Sequence, residues 1–266
     1  MRLGGSSARG SGGIEMALAV HETEGGITPP VLTSVVVRLS LLGGFALARD
    51  GSPVDLPVTA QRVVALLALH QRPLQRAYVS GTLWPNSSED HAGASLRSAL
   101  WRLHRLAIDI VEATIDRIWL APQVRVDLRD VVAGARRLID EAGSMEETDM
   151  RAIAAAGDLL PDLDEDWLVM EREKFRQLRV HALEALCNRL TAAGRFAEAV
   201  DAGLAAVEFE PCRESAHRAL IKAHLAEGNP SEAARQYCKY VRLAADELGI
   251  EPSPPMRALV AGMRLG

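Results

Sequence analysis

From position 96 to 107, Leu96, Ala99, Leu100, Leu103 and Ala107 recur at intervals of three and four, so they fall along one stripe of a helix. An apolar stripe of this kind must face a core. The opposite face then carries Ala94, Ser98, Trp101 and Arg105, flanked by Arg97 and Arg102, with no acidic residue after Asp90 in the segment. A guanidinium can bond guanine N7 and O6 together or grip a phosphate with two donors. A serine hydroxyl can meet a base edge or a phosphate, and a small alanine permits close approach. The chemistry on offer is therefore readout of a DNA major groove. The same arginines would also suit a solvated face, and Trp101 could instead pack on the loop before the helix. Further on, Arg117 stands near the tip of a short hairpin, from which it could reach an adjacent minor groove.

Other chemistries find less support. The chain has no glycine-rich phosphate loop, no H-E-x-x-H and no G-x-S-x-G, so neither an enzyme nor a cofactor is expected. His217 and His224 are seven residues apart and could share a helix face, but without a nearby cysteine or paired carboxylate they read as surface histidines rather than a metal site. Asp162, Asp164, Glu165 and Asp166 precede a helix, where carboxylates favour the positive N-terminus; calcium is the alternative, without EF-hand spacing. Cys187, Cys212 and Cys238 are odd in number and widely spaced, which fits reduced, mostly buried thiols.

A net charge of −5 hides an asymmetry. Residues 35–128 carry 10 basic and 8 acidic side chains, a balance of +2, whereas residues 129–266 carry 18 and 24, a balance of −6. Only the first of these segments is suited to phosphate. No apolar run approaches the roughly 20 residues of a membrane span, and the N-terminus has no signal-peptide core, so a cytoplasmic protein is expected.

The elements that would position the arginine face are legible in outline. Residues 1–34 are rich in Gly, Ser and Thr and read as a flexible tail. From Val35, β-branched and apolar stretches broken by Gly43-Gly44 and by Asp50-Gly51 predict a small antiparallel sheet with a hairpin at the second break. A helix capped by Thr59 runs to Leu69 and is too continuously apolar for the surface. A short helix at 79–83 stops at Trp84-Pro85, and the third, at 91–107, carries the arginines. Extended segments at 110–114, 117–120 and 124–127 predict a terminal hairpin turning at Ile115-Asp116. Beyond Asp127 the pattern is helical. Gly194 and Gly228 lie 34 residues apart, and the same offset pairs Ala182 with Ala216, Ala185 with Ala219, Leu186 with Leu220, Glu198 with Glu232 and Ala199 with Ala233. That is the period of a tetratricopeptide helix hairpin. Small residues at 185, 199, 219 and 233 would let the paired helices approach closely. The fold class is therefore multidomain α+β: a winged helix over 35–128, then an all-α tetratricopeptide-like domain over 129–266.

The stretches GGFALARDG, LPVTAQRVVALLALHQRP, LWPNSSEDHAGASLRSALWRLHRLA and LAPQVRVDL resemble the OmpR-type winged helix of Streptomyces antibiotic regulatory proteins. GDLLPDLDEDWLVMEREKFRQLRVHALEAL, AAGRFAEAV and ADELGIEPSPPMRAL resemble the bacterial transcriptional activator domain that follows it in that family. The resemblance covers about residues 35 to 264. It implies an activator of biosynthetic gene clusters that binds direct repeats of double-stranded DNA, as a homodimer at least on DNA, and assists RNA polymerase. By motif position the recognition helix is the one with Ser98, Trp101, Arg102 and Arg105. Two departures stand out: His104 occupies a position where members often have arginine, and Glu112 and Asp116 lie near the wing. No receiver domain precedes the winged helix, so aspartate phosphorylation is not the expected switch. The rival reading is an interaction scaffold whose winged helix no longer reads sequence.

Overall fold

The computed structural model describes residues 36–106, 109–140 and 142–261. The tail at 1–34 and Ala107 lie outside the described residues. Strands β1 (Val37–Ser40) and β2 (Ala46–Arg49) pair antiparallel, and β3 (Ser52–Pro53) folds back on β2. The turn between β2 and β3 is the Asp50-Gly51 pair, with φ of 48° and 83°. Two left-handed residues in a two-residue loop match the twist of the flanking strands, which is why Asp-Gly is favoured there.

Helix α1 (Val58–Leu69) buries Ala60 and everything from Val63 to Ala68, as its unbroken apolar run requires. Thr59 does not cap it. Pro57 stands at the N-cap with its φ already near −59°, and its carbonyl accepts the N–H of Ala60 at 2.8 Å and of Gln61 at 3.0 Å. Strand β4 (Leu74–Gln75) leads into α2 (Arg76–Leu83), and α3 (Glu89–His104) follows. The last begins two residues earlier than its apolar pattern suggests, because Ser88 serves as N-cap, with its Oγ accepting the His91 N–H, and Glu89 and Asp90 occupy the first turn, where the helix dipole favours carboxylates.

The hairpin of β5 (Val111–Ala113) and β6 (Arg117–Leu120) turns at Ile115-Asp116 as expected, and β4 joins it in the order β4-β6-β5. The third extended segment leaves this hairpin. As β7 (Val124–Val126) it pairs parallel with β1 and adds a fourth strand to the N-terminal sheet, in the order β3-β2-β1-β7. Burial explains the choice: Val124 and Val126 both point into the core, and the free edge of β1 satisfies their backbone.

Among the described residues, seven helices follow: α4 (Asp127–Ile139), α5 (Glu147–Ala155), α6 (Asp166–Ala192), α7 (Phe196–Phe209), α8 (Glu214–Glu227), α9 (Pro230–Leu243) and α10 (Pro254–Leu259), with a π-helical turn at Ala244–Leu248. The helices α6/α7 and α8/α9 form the hairpins announced by the 34-residue period. Gly194 and Gly228 turn them with φ of 72° and 89°. Ala182, Ala216, Leu186, Leu220, Ala199 and Ala233 are all buried, whereas Ala185 is half-buried. Helices α6, α7 and α8 approach closely at Gly203, where an added Cβ would come within 3.1 Å of Leu220 and 3.2 Å of Cys187.

Sheet and helices are joined through main chain. Leu42 bridges Leu159, Gly43 N–H donates to Asp158 O and Leu160 N–H to Leu41 O, both at 2.8 Å. Asp127 accepts the N–H groups of Leu41 and Leu42 at 2.9 and 3.2 Å; burial raises its carboxyl above the usual range, and these N–H bonds oppose that shift. One hydrophobic cluster runs without interruption from Val37 in β1 to Ala223 in α8.

Three expectations about polar side chains need correction or refinement. His217 is not a surface residue: it is fully buried, bonded to Pro211 O at 2.8 Å and to Gln236 Nε2 at 2.7 Å, and its ring leans on Tyr240. His224 is largely buried as well, with its side chain only 12% exposed. In the acidic cluster, Asp166 sits in the first turn of α6, but Glu165 turns away to Arg62 of α1. Of the thiols, Cys187 is buried, which pushes it up to about 11, while Cys212 and Cys238 are half-buried. No described helix is long and apolar enough to cross a membrane.

Candidate nucleic-acid interface

Helix α3 is held from below by Ala92, Leu96, Ala99 and Leu103, all buried, with Leu100 at the margin. It packs on α1 and α2. The turn that delivers it is braced by Arg62, which donates to the carbonyl of Leu83 at the end of α2 and lies 5.7 Å from the Trp84 ring. Arg62 also donates to Glu165 Oε2 at 2.9 Å, and Trp167 Nε1 donates to the same oxygen at 2.9 Å. Thus a carboxylate of the helical region holds the loop that leads into α3.

With its apolar stripe anchored, α3 and its C-cap residue expose Ala94, Arg97, Ser98, Trp101, Arg102 and Arg105. Trp101 does not pack on the preceding loop. It is 58% exposed, and the Arg105 guanidinium lies over its ring at 4.8 Å. The i, i+4 spacing and the length of the arginine stem produce this stack, which fixes both planar groups side by side on the ridge. The first turn keeps Glu89 and Asp90 at the far end, so the exposed face from Ala94 to Arg105 carries no acid.

Arg117 is exposed on the wing, 3.7 Å from Asp116 Oδ2. Thr114 Oγ1 donates to Asp116 Oδ1 at 2.9 Å and accepts the Arg117 N–H at 3.1 Å, which stiffens the turn. Ile115 projects at the tip, 96% exposed. Glu112 accepts Trp119 Nε1 at 2.9 Å, so one of the two wing acids is already engaged within the sheet. The structure therefore brings Arg97, Ser98, Trp101, Arg102 and Arg105 onto one ridge and places Arg117 on the neighbouring hairpin. It also brings in two residues that the sequence reading did not single out as candidates for contact. Arg76, at the start of α2, and His104 line a cleft of about 320 Å³ between α3 and the hairpin, together with Arg97. Nothing local marks Arg76, because its neighbours there come from α3, β5 and the loop between them. No group of three or more potential metal ligands occurs among the described residues.

A model of the bacterial transcriptional activator domain matches residues 126–264, from β7 onward. The chain belongs to that family. Its activator-domain region is accompanied by similarity further upstream: the transcriptional regulatory protein EmbR of Mycobacterium tuberculosis is 32% identical over 240 residues, which cover 82% of this chain and 61% of EmbR. The regulatory protein AfsR of Streptomyces coelicolor is 24% identical over 237 residues, covering 85% of this chain and 24% of AfsR. The solved structure of Mycobacterium tuberculosis EmbR in complex with a low-affinity phosphopeptide superimposes with a TM-score of 0.69 at 26% identity, covering 85% of this chain and 64% of that one. The chain thus spans about three fifths of the length of EmbR. These relatives are regulators of the Streptomyces antibiotic regulatory protein kind, as the sequence resemblance implies. The winged helix followed by helical hairpins is the fold that this chain shares with the EmbR structure.

Proposed function

We propose that this protein is a sequence-specific DNA-binding regulator in which residues 35–128 read DNA and residues 129–266 form the activator part. The observation that carries the reading is the acid-free ridge of α3, where Arg97, Ser98, Trp101, Arg102 and Arg105 are exposed together beside a stiffened wing. Arg105 and Ser98 meet base edges, Arg97 and Arg102 grip phosphate, and Arg117 reaches the adjacent minor groove. Two protomers occupy direct repeats near a promoter of a biosynthetic cluster in the cytoplasm and assist RNA polymerase; the kinship with EmbR and AfsR supports the regulatory part of this reading.

The test is binding to the DNA upstream of the protein's own and neighbouring genes over a range of salt. A sequence-selective complex that weakens with salt is expected. Arg105→Ala should reduce discrimination between sites by about 1–3 kcal/mol, whereas Arg97→Ala should weaken all duplexes alike. A chain that forms no such complex would be an interaction scaffold instead.

A further inference from the structure

Several arginines of the helical region are engaged by carboxylates. Arg137 forms a two-pronged pair with Asp149, Arg176 pairs with Glu173 and Glu210, and Arg213 with Glu184. The cleft between α3 and the β5–β6 hairpin is different. Arg97 and His104 line it from α3 and Arg76 from the first turn of α2, and among the described residues none of the three pairs with a carboxylate. Arg76 is aimed by the wing itself. Its backbone N–H donates to Asp116 O at 2.8 Å and its Nε to Thr114 O at 3.2 Å, which leaves the two terminal nitrogens for another acceptor. Asp109 is the one carboxylate among the lining residues.

If α3 occupies a major groove and the wing the adjacent minor groove, the strand separating those grooves has to pass between the two elements. This cleft is the space between them. Unpaired cationic and N–H donors around such a space suit a phosphodiester, whose charge is constant along the strand and whose oxygens accept from several directions. We propose that the cleft seats one backbone phosphate, with Arg76, Arg97 and His104 as its donors. The proposal rests on the DNA-binding reading above. It assigns to Arg76 and His104 a contact that adds affinity and registers the wing against α3 without carrying sequence information.

The experiment is fluorescence anisotropy of the full chain on two duplexes between 50 and 200 mM salt: one recovered by selection from random sequence, the other its scrambled counterpart. Losing one phosphate contact lowers the magnitude of the log–log salt slope by about 0.9. Over this fourfold salt range, Arg76→Gln should therefore lose about 3.5-fold less affinity than the wild type. It should weaken both duplexes by the same factor, and His104→Arg should strengthen both. A scan with single methylphosphonates locates the phosphate: the wild type loses affinity at one position between the two grooves, and Arg76→Gln loses nothing further there. An unchanged slope in Arg76→Gln, or full additivity with every methylphosphonate, overturns the phosphate seat while leaving DNA binding intact. A wild-type chain that forms no salt-sensitive complex overturns the DNA-binding reading and the seat with it.

Discussion

Replacing Arg62 by alanine tests how the helical region holds α3. The Arg62 and Glu165 side chains are only 18% and 15% exposed, so the pair is largely withdrawn from water. Arg62→Ala leaves the Glu165 carboxylate with the Trp167 N–H as its remaining side-chain donor, deprives the Leu83 carbonyl of its guanidinium partner and removes the cation beside Trp84. Breaking a fully buried pair by removing one partner costs about 3–5 kcal/mol. Residual exposure lowers the expectation here to about 2–3 kcal/mol, because water can reach part of the orphaned carboxylate. Glu165→Gln keeps the shape and an acceptor for both donors, so about 1 kcal/mol is expected. The double variant should then show a coupling of about 1–2 kcal/mol. Urea unfolding followed by circular dichroism gives all four corners of the cycle, and hydrogen exchange of the 84–88 loop reports the local effect. A loss below about 0.5 kcal/mol for Arg62→Ala, or zero coupling, would refute the view that this pair fastens the turn before α3.

Two further outcomes are expected. A Cβ at Gly157 would lie 2.8 Å from the backbone of Gly43, so Gly157→Ala must push the helical region away from the sheet; a loss of about 1–3 kcal/mol is expected, and wild-type stability would show that the junction is not tightly packed. Burial lowers the His217 pKa, with the bond to Pro211 opposing this shift and the nearby Lys239 charge adding to it. The unfolded chain therefore takes up a proton below about pH 6.5 that the folded chain resists, so stability falls on acidification by up to about 1.4 kcal/mol per pH unit from this site. Above that pH both states are neutral at His217 and the effect vanishes. Comparing urea midpoints of the wild type and His217→Gln from pH 7.5 to 5 isolates it; parallel pH profiles would sink the argument.

The face of α3 was legible because it depends on local regularities. Leu96, Ala99 and Leu103 are spaced to lie along one side, and whatever falls opposite must be exposed once that side is buried. Asp50-Gly51 and the 34-residue recurrence of Gly194 and Gly228 were legible for a similar reason, since each of these four residues takes a positive φ that its type tolerates. The start of α1 differs from the expected Thr59 cap because a proline with its φ preset displaces the hydroxyl that local chemistry favours.

What the chain alone determined, then, is periodicity and turn chemistry, which involve residues a few positions apart. Tertiary structure decided the rest. Strand β7 could satisfy its backbone in the wing or beside β1, and only the burial of Val124 and Val126 selects the second. Glu165 finds Arg62 across 103 positions, and Arg76 meets Arg97 and His104 only after α2, α3 and the hairpin have packed. Such meetings are set by which surfaces exclude water together, a property of the folded whole that no single stretch of residues encodes.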